Sequence, residues 1–193
     1  MKVERTVRID VNTFKVGDII KFKLTDGTKV KAIAVQKEAG DMIFCLASCL
    51  PGRTVSRMNK TNTNQGGYEE SYLRQRLNNE FLKLFPEDII NMMVPFESGD
   101  LLRLPTEKEI FGTNKYGEFE AQYVTQWKPM KKRGNCLIFN DVDDDQPQWY
   151  WLMNRYRKST AHFLSVDSRG RANYYEASSC CCWIRPVFKL RNC

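Results

Sequence analysis

A chain of 193 residues is long enough to bury one substantial core, and 42% hydrophobic with 12% aromatic residues excludes a disordered polymer. Its longest unbroken apolar run, Met42 to Ala47, falls far short of the roughly 20 residues that a bilayer crossing requires, so no membrane span is expected. The net charge of +7 is lopsided: residues 149–193 carry eight Lys/Arg against two Asp/Glu, and residues 1–148 carry 22 against 21, so any steering of an anionic partner resides in the last quarter.

The N-terminus, Met1-Lys2-Val3-Glu4-Arg5, enters charged residues without the apolar stretch of a secretion signal, which predicts a cytoplasmic protein. Strands come first. Asp18–Leu24 and Val30–Gln36 alternate apolar residues with lysines on either side of Thr25-Asp26-Gly27-Thr28, a hairpin turn signal. Met42–Ser48 makes a third strand of the meander, with Ile20, Phe22 and Leu24 on one face of the first. Residues 51–68, rich in Pro, Gly, Asn and Thr, read as a loop.

Helices follow. Leu73, Leu77, Phe81 and Leu84 with Phe85 recur at helical spacing until Pro86, which opens a shorter helix carrying Ile89, Ile90 and Met93. Thr106-Glu107-Lys108-Glu109 has the form of a capping box, and Gly112 is the natural stop of the helix it opens. Residues 113–135 read as irregular, with Lys131-Lys132-Arg133-Gly134 a solvated loop. Strands return at Cys136–Asn140, Trp149–Asn154, Ala161–Val166, Ala172–Tyr175 and Cys182–Leu190, separated by polar turns such as Asp167-Ser168-Arg169-Gly170. Strands, then helices, then strands predict an α+β fold with largely antiparallel sheets and two or three short helices, in a single domain over 1–193 whose terminal strands meet.

Seven cysteines is an odd number, and Cys180-Cys181-Cys182 are consecutive, so free thiols fit better than a disulfide framework. With one histidine in the chain, no structural zinc site is expected. Asp141, Asp143 and Asp145 have the carboxylate density of a calcium loop but lack the tight-turn Gly and closing Glu of an EF-hand, and read as a solvated acidic turn. No phosphate-cradling Gly loop, G-x-S-x-G or H-E-x-x-H occurs.

Three C-terminal segments in order, WYWLMN at 149–154, AHFLSVDSRGR at 161–171 and CWIRPVF at 182–188, resemble the ending of an uncharacterised bacterial and phage domain family with a Trp-rich strand and a final Val-Arg-Pro-Ala/Val-Phe strand. The opening Asp26-Gly27 hairpin, SYLRQRLNNEF at 71–81 and DLLRLPTEKEIFG at 100–112 extend that resemblance over most of the chain. The series is also similar to the C-type-lectin-like variable proteins diversified by retroelements and to the formylglycine-generating superfamily. That resemblance implies a C-type-lectin-like fold, whereas activity must come from the site itself.

In the retroelement-diversified relatives the ligand is held between the Trp strand and the final strand. The resemblance therefore implies Arg155, Tyr156, Arg157, Lys158, His162, Arg169, Arg171, Asn173, Tyr174, Tyr175 and Glu176 as contact residues, and Tyr and Arg are the types that dominate binding hot spots. The expected role is a non-catalytic module that binds a protein or glycan without a cofactor. One alternative is a copper/thiol oxidase like the formylglycine-generating enzymes, using Cys180–Cys182. Another is nucleic-acid binding through Arg155-Tyr156-Arg157-Lys158 and Arg169-Gly170-Arg171. Cys180–Cys182 are otherwise small core fillers at the start of the last strand, His162 faces solvent if Phe163 is buried, and Arg185 pairs inside the fold beside a ladder-breaking Pro186.

Overall fold

The computed structural model of the protein describes residues 14–50, 56–139 and 146–192. An antiparallel meander opens it: β1 (Ile19–Lys23), β2 (Lys29–Glu38) and β3 (Asp41–Leu46). The first turn is the one that local chemistry asks for. Gly27 takes φ 87°, which a residue without Cβ adopts freely, and the Asp26 carboxylate accepts from the Thr28 amide at 2.9 Å. Ile20 and Leu24 are buried while Lys21 and Lys23 are exposed, as strand alternation requires.

Ser71 caps α1 (Tyr72–Asn79) by accepting from the Arg74 amide, and Leu73 and Leu77 form its buried stripe. The stripe outlasts the α-helix, because Phe81 is carried by a tighter turn over Phe81–Leu84. Pro86 precedes α2 (Glu87–Met92). The capping box closes in both directions at α3 (Glu107–Phe111), and Gly112 ends that helix at φ 77°. The span predicted to be irregular holds two 3-10 turns, Lys128–Lys131 and Arg133–Cys136, and its cationic tip, residues 131–134, is exposed as expected of a solvated loop. Trp127 and Met130 anchor this span in the core, with the indole N–H donating to Gln36 Oε1 at 3.0 Å.

The short pair β4 (Ile138–Phe139) and β5 (Pro147–Gln148) leads into a second antiparallel sheet, β6 (Tyr150–Arg155), β7 (His162–Val166) and β8 (Ala172–Glu176). The last strand, β9 (Val187–Leu190), returns to pair with β3, so Met42 faces Leu190 and Phe44 faces Phe188. The early and late strands thus share one sheet in the order β1-β2-β3-β9. The architecture is mixed α and β with mostly antiparallel sheets and few short helices.

Residues 182–190 are not one strand as expected. Pro186 has no amide to donate and Arg185 is drawn inward, so the ladder starts only at Val187. Upstream of it, a bridge between Trp183 and Tyr150 ties this segment to β6 and joins the two sheets. The inner strands of both sheets are covered on both faces, while the outer strands β1 and β8 keep exposed positions. Ala32, Ala34, Phe44, Phe188, Trp151 and Phe163 face one apolar cluster, while Ile33, Val35, Cys45, Val187, Leu152 and Leu164 face the other.

Candidate functional site

The proposed contact region lies on the β6–β7–β8 sheet and the turn between β6 and β7. That turn is fixed from outside. Asn64 donates its side-chain amide to the carbonyls of Ser159 and His162 at 2.7 and 2.9 Å, and its own backbone amide reaches Thr160 O at 2.7 Å. From the other flank, the Arg157 amide donates to Tyr116 O at 3.1 Å, and Gly117 bridges Tyr156. Gly117 has no room for a side chain, since a Cβ would meet Asn154 at 2.9 Å. Beside it, the fully buried Glu107 carboxylate accepts from the Tyr116 and Gly117 amides, which pins Tyr116 beneath the turn.

The result is an aromatic shelf. Tyr156 and Tyr174 stack with ring centres 4.0 Å apart and planes 8° from parallel. Tyr116 meets both edge-on, and His162 packs its ring against the same two tyrosines. Desolvation, followed by the hydrogen bond and charge of Tyr174, raises the Tyr156 phenol above its usual value. Beside the shelf opens a cleft of about 580 Å³ between Asn64, Glu118 and the 155–160 turn. A second cleft of about 430 Å³, under Gly67, Phe119 and Met153, shares Glu118 and Arg155 with it.

Not all the residues singled out from sequence belong to this shelf. Strand alternation sends Tyr174 and Tyr175 to opposite faces of β8: Tyr174 joins Tyr116, Tyr156 and His162, while Tyr175 packs edge-on against Trp149 at 5.7 Å. Reading them as one surface is therefore corrected by the pleat. Glu176 pairs with His162 across the ladder, and Asn173 lies opposite Ser165. Arg155 forms an ion pair with Glu118, and Arg157 lies over the exposed Phe119 ring. Lys158 is exposed. Arg169 and Arg171 sit apart in the β7–β8 turn, which Asp167 organises by accepting from both of their amides at 2.9 Å and pairing with the Arg171 guanidinium. Burial alone would raise the Asp167 carboxyl, but these hydrogen bonds and the Arg171 charge hold it below its ordinary value. Tyr116, Glu118 and Phe119 were missed from sequence, because only the fold brings 116–119 to the turn.

His162 is half-buried rather than turned to solvent, although Phe163 is fully buried as expected. Its Nδ1 lies 2.6 Å from Ser159 Oγ, which also accepts from the Ala161 amide at 3.1 Å. Among the described residues no carboxylate bonds the imidazole, so Ser159 and His162 read as a turn lock rather than as a nucleophile and its base.

Arg185 pairs inside the fold. It is fully buried and donates to Leu46 O, the Tyr150 hydroxyl and Asn135 O at 2.7, 3.0 and 2.8 Å, with its guanidinium over the Tyr150 ring. The cysteines divide. Cys182 fills the core, as expected of a small apolar side chain, whereas Cys180 and Cys181 are exposed. The acidic turn Asp141, Asp143 and Asp145 lies outside the described residues. Among the described residues, no three His, Cys, Asp or Glu side chains come together as a metal-holding group, and no helix is long and apolar enough to cross a membrane.

Residues 47–192 match the model of a protein family described as a domain of unknown function, DUF6273. No curated protein and no solved structure matches the chain.

Proposed function

Because the chain belongs to the DUF6273 family, whose function is unknown, its role has to be read from its own surface, and we propose that it is a non-catalytic binding module of C-type-lectin-like fold with the Tyr116–Tyr156–Tyr174 shelf as its contact surface. The observation that carries this reading is the stacked Tyr156–Tyr174 pair beside a polar cleft, on a turn held from both flanks. Such a turn is ordered before any ligand arrives, so little entropy is lost on binding. Stacked aromatic faces next to hydroxyl, amide, carboxylate and guanidinium groups suit a polyhydroxylated glycan or a polar protein loop. The meeting of early and late strands in one sheet supports the lectin-like part of the reading.

The alternatives have less behind them. Nucleic-acid binding rests on the basic last quarter, yet Arg155, Arg171 and Lys189 are committed to carboxylates and Arg185 is buried. The copper/thiol oxidase needs Cys180–Cys182 on one site, and Cys182 is turned into the core. A glycan array and a pull-down on the purified protein, repeated with Tyr156→Ala and Tyr174→Ala, test the proposal. We expect both variants to lose at least tenfold in affinity for whatever ligand is captured, and Tyr175→Ala to leave it unchanged, since hot spots concentrate in central aromatic anchors. Retained affinity in both shelf variants overturns the surface assignment.

A further inference from the structure

On the opposite face of β8 the three consecutive cysteines form a graded arrangement. Cys180 and Cys181 reach solvent and Cys182 is wholly inside the core. The sulfurs of Cys181 and Cys182 are 3.7 Å apart. We propose that Cys181 and Cys182 are a thiol modification site at which peroxide oxidises the exposed sulfur and the buried neighbour resolves it as a reversible vicinal disulfide.

Each part of the arrangement fits one step. A peroxide molecule reaches Cys181 from solvent but not Cys182. The Cys181 thiolate attacks one peroxide oxygen, so the S–O bond forms, the O–O bond breaks and hydroxide leaves, giving the sulfenic acid. The Cys182 sulfur then attacks the Cys181 sulfur, forming S–S and breaking S–O. The departing hydroxide carries off the Cys182 proton as water, and the pair has given up two electrons to one peroxide. The second step is intramolecular and needs no solvent path to Cys182. Hydrogen bonding from Cys182, against an opposing effect of burial, and further bonds from Ser179 and Tyr175 lower the Cys181 thiol to about 6, which leaves it largely thiolate at neutral pH. Burial pushes Cys182 well above the ordinary thiol range, so it keeps its proton until the sulfenic acid forms.

Reversibility follows from covalent geometry. Neighbouring Cα atoms across a trans peptide are about 3.8 Å apart, shorter than the roughly 4.4–6.8 Å of unstrained disulfides, so the closed pair is strained and easily reduced. A strained disulfide is a regulatory bond rather than a structural one. Closing it removes the thiolate that accepts a hydrogen bond from Tyr175, which packs on Trp149.

The test is peroxide treatment of the whole protein, quenching with N-ethylmaleimide, digestion and mass spectrometry of the peptide spanning 180–182. The expected product is lighter by two hydrogens and takes one maleimide in place of three, with uptake of three restored by dithiothreitol. Cys180→Ser should close as before. Cys182→Ser, or Cys182→Ala if the serine perturbs the core, should stop at a sulfenic acid on Cys181 that dimedone traps, and Cys181→Ser should do neither. Closure that survives loss of Cys182, dimedone labelling of Cys180 alone, or disulfides only between two chains would each overturn the assignment.

Discussion

Arg185 and Arg155 come from the same basic quarter of the chain and meet opposite fates. Arg185 lies at zero exposure among two carbonyls and a phenol, with no carboxylate among its hydrogen-bond partners in the described residues, whereas Arg155 holds Glu118 at the surface beside an open cleft. The first joins β3, β6 and the second 3-10 turn to the approach of the last strand. The second shapes a surface. Residue type and charge are the same in both, so the difference teaches that desolvation decides whether a cation is scaffold or contact residue.

That contrast can be broken by substitution. Arg185→Ala should destabilise the protein by about 3–5 kcal/mol, because three buried acceptors lose their donor at once, and urea unfolding measures it. A loss below about 1 kcal/mol would mean that water reaches those acceptors. Asp167→Asn should cost about 1 kcal/mol, since the amide oxygen still accepts from the turn but the Arg171 pair, whose arginine is largely exposed, is lost. It should also flatten the acid limb of stability. A carboxyl held below its ordinary value of 3.8 in the folded protein stabilises fully above that value, and its contribution disappears as pH falls through the depressed one. Wild type should therefore lose more stability than the Asn variant below about pH 4, and parallel acid-titration curves for the two would refute this. Arg155→Ala should be the smallest change, within about 1 kcal/mol by the same unfolding assay, as for other exposed ion pairs.

The sequence is legible where a feature is decided within a few residues. The Asp26-Gly27 hairpin, the Thr106–Glu109 capping box and the Gly112 stop all emerged as read, because each is set by local hydrogen bonds and by φ. Apolar alternation likewise placed Ile20 and Leu24 inside and Phe163 opposite His162. What failed depended on tertiary partners. The strand expected over 182–190 is interrupted because Arg185 has buried acceptors on β3 and the second 3-10 turn, which no local pattern reveals. Trp127 makes an irregular-looking segment part of the core through Gln36, 91 residues away in sequence. At the candidate site, Tyr156, His162 and Tyr174 were among the contact residues that the family resemblance implied, but Tyr116 and Phe119 came from a segment with no periodic signal. Tyr174 and Tyr175 were adjacent letters whose separation follows from the pleat once β8 is placed. The unequal exposure of Cys180–Cys182 was hidden because the burial of Cys182 is set by the core around it and not by a local pattern.

The pairing of β3 with β9 has a consequence during synthesis. Met42–Leu46 is apolar along its length, and its outer edge is paired with residues 187–190, about 145 positions later. While the ribosome is still making the intervening chain, that edge is an unpaired template for other strands. Closure over so long a loop is slow, so the nascent protein passes through a stage in which chaperone capture competes with aggregation, and that stage ends when the last strand docks.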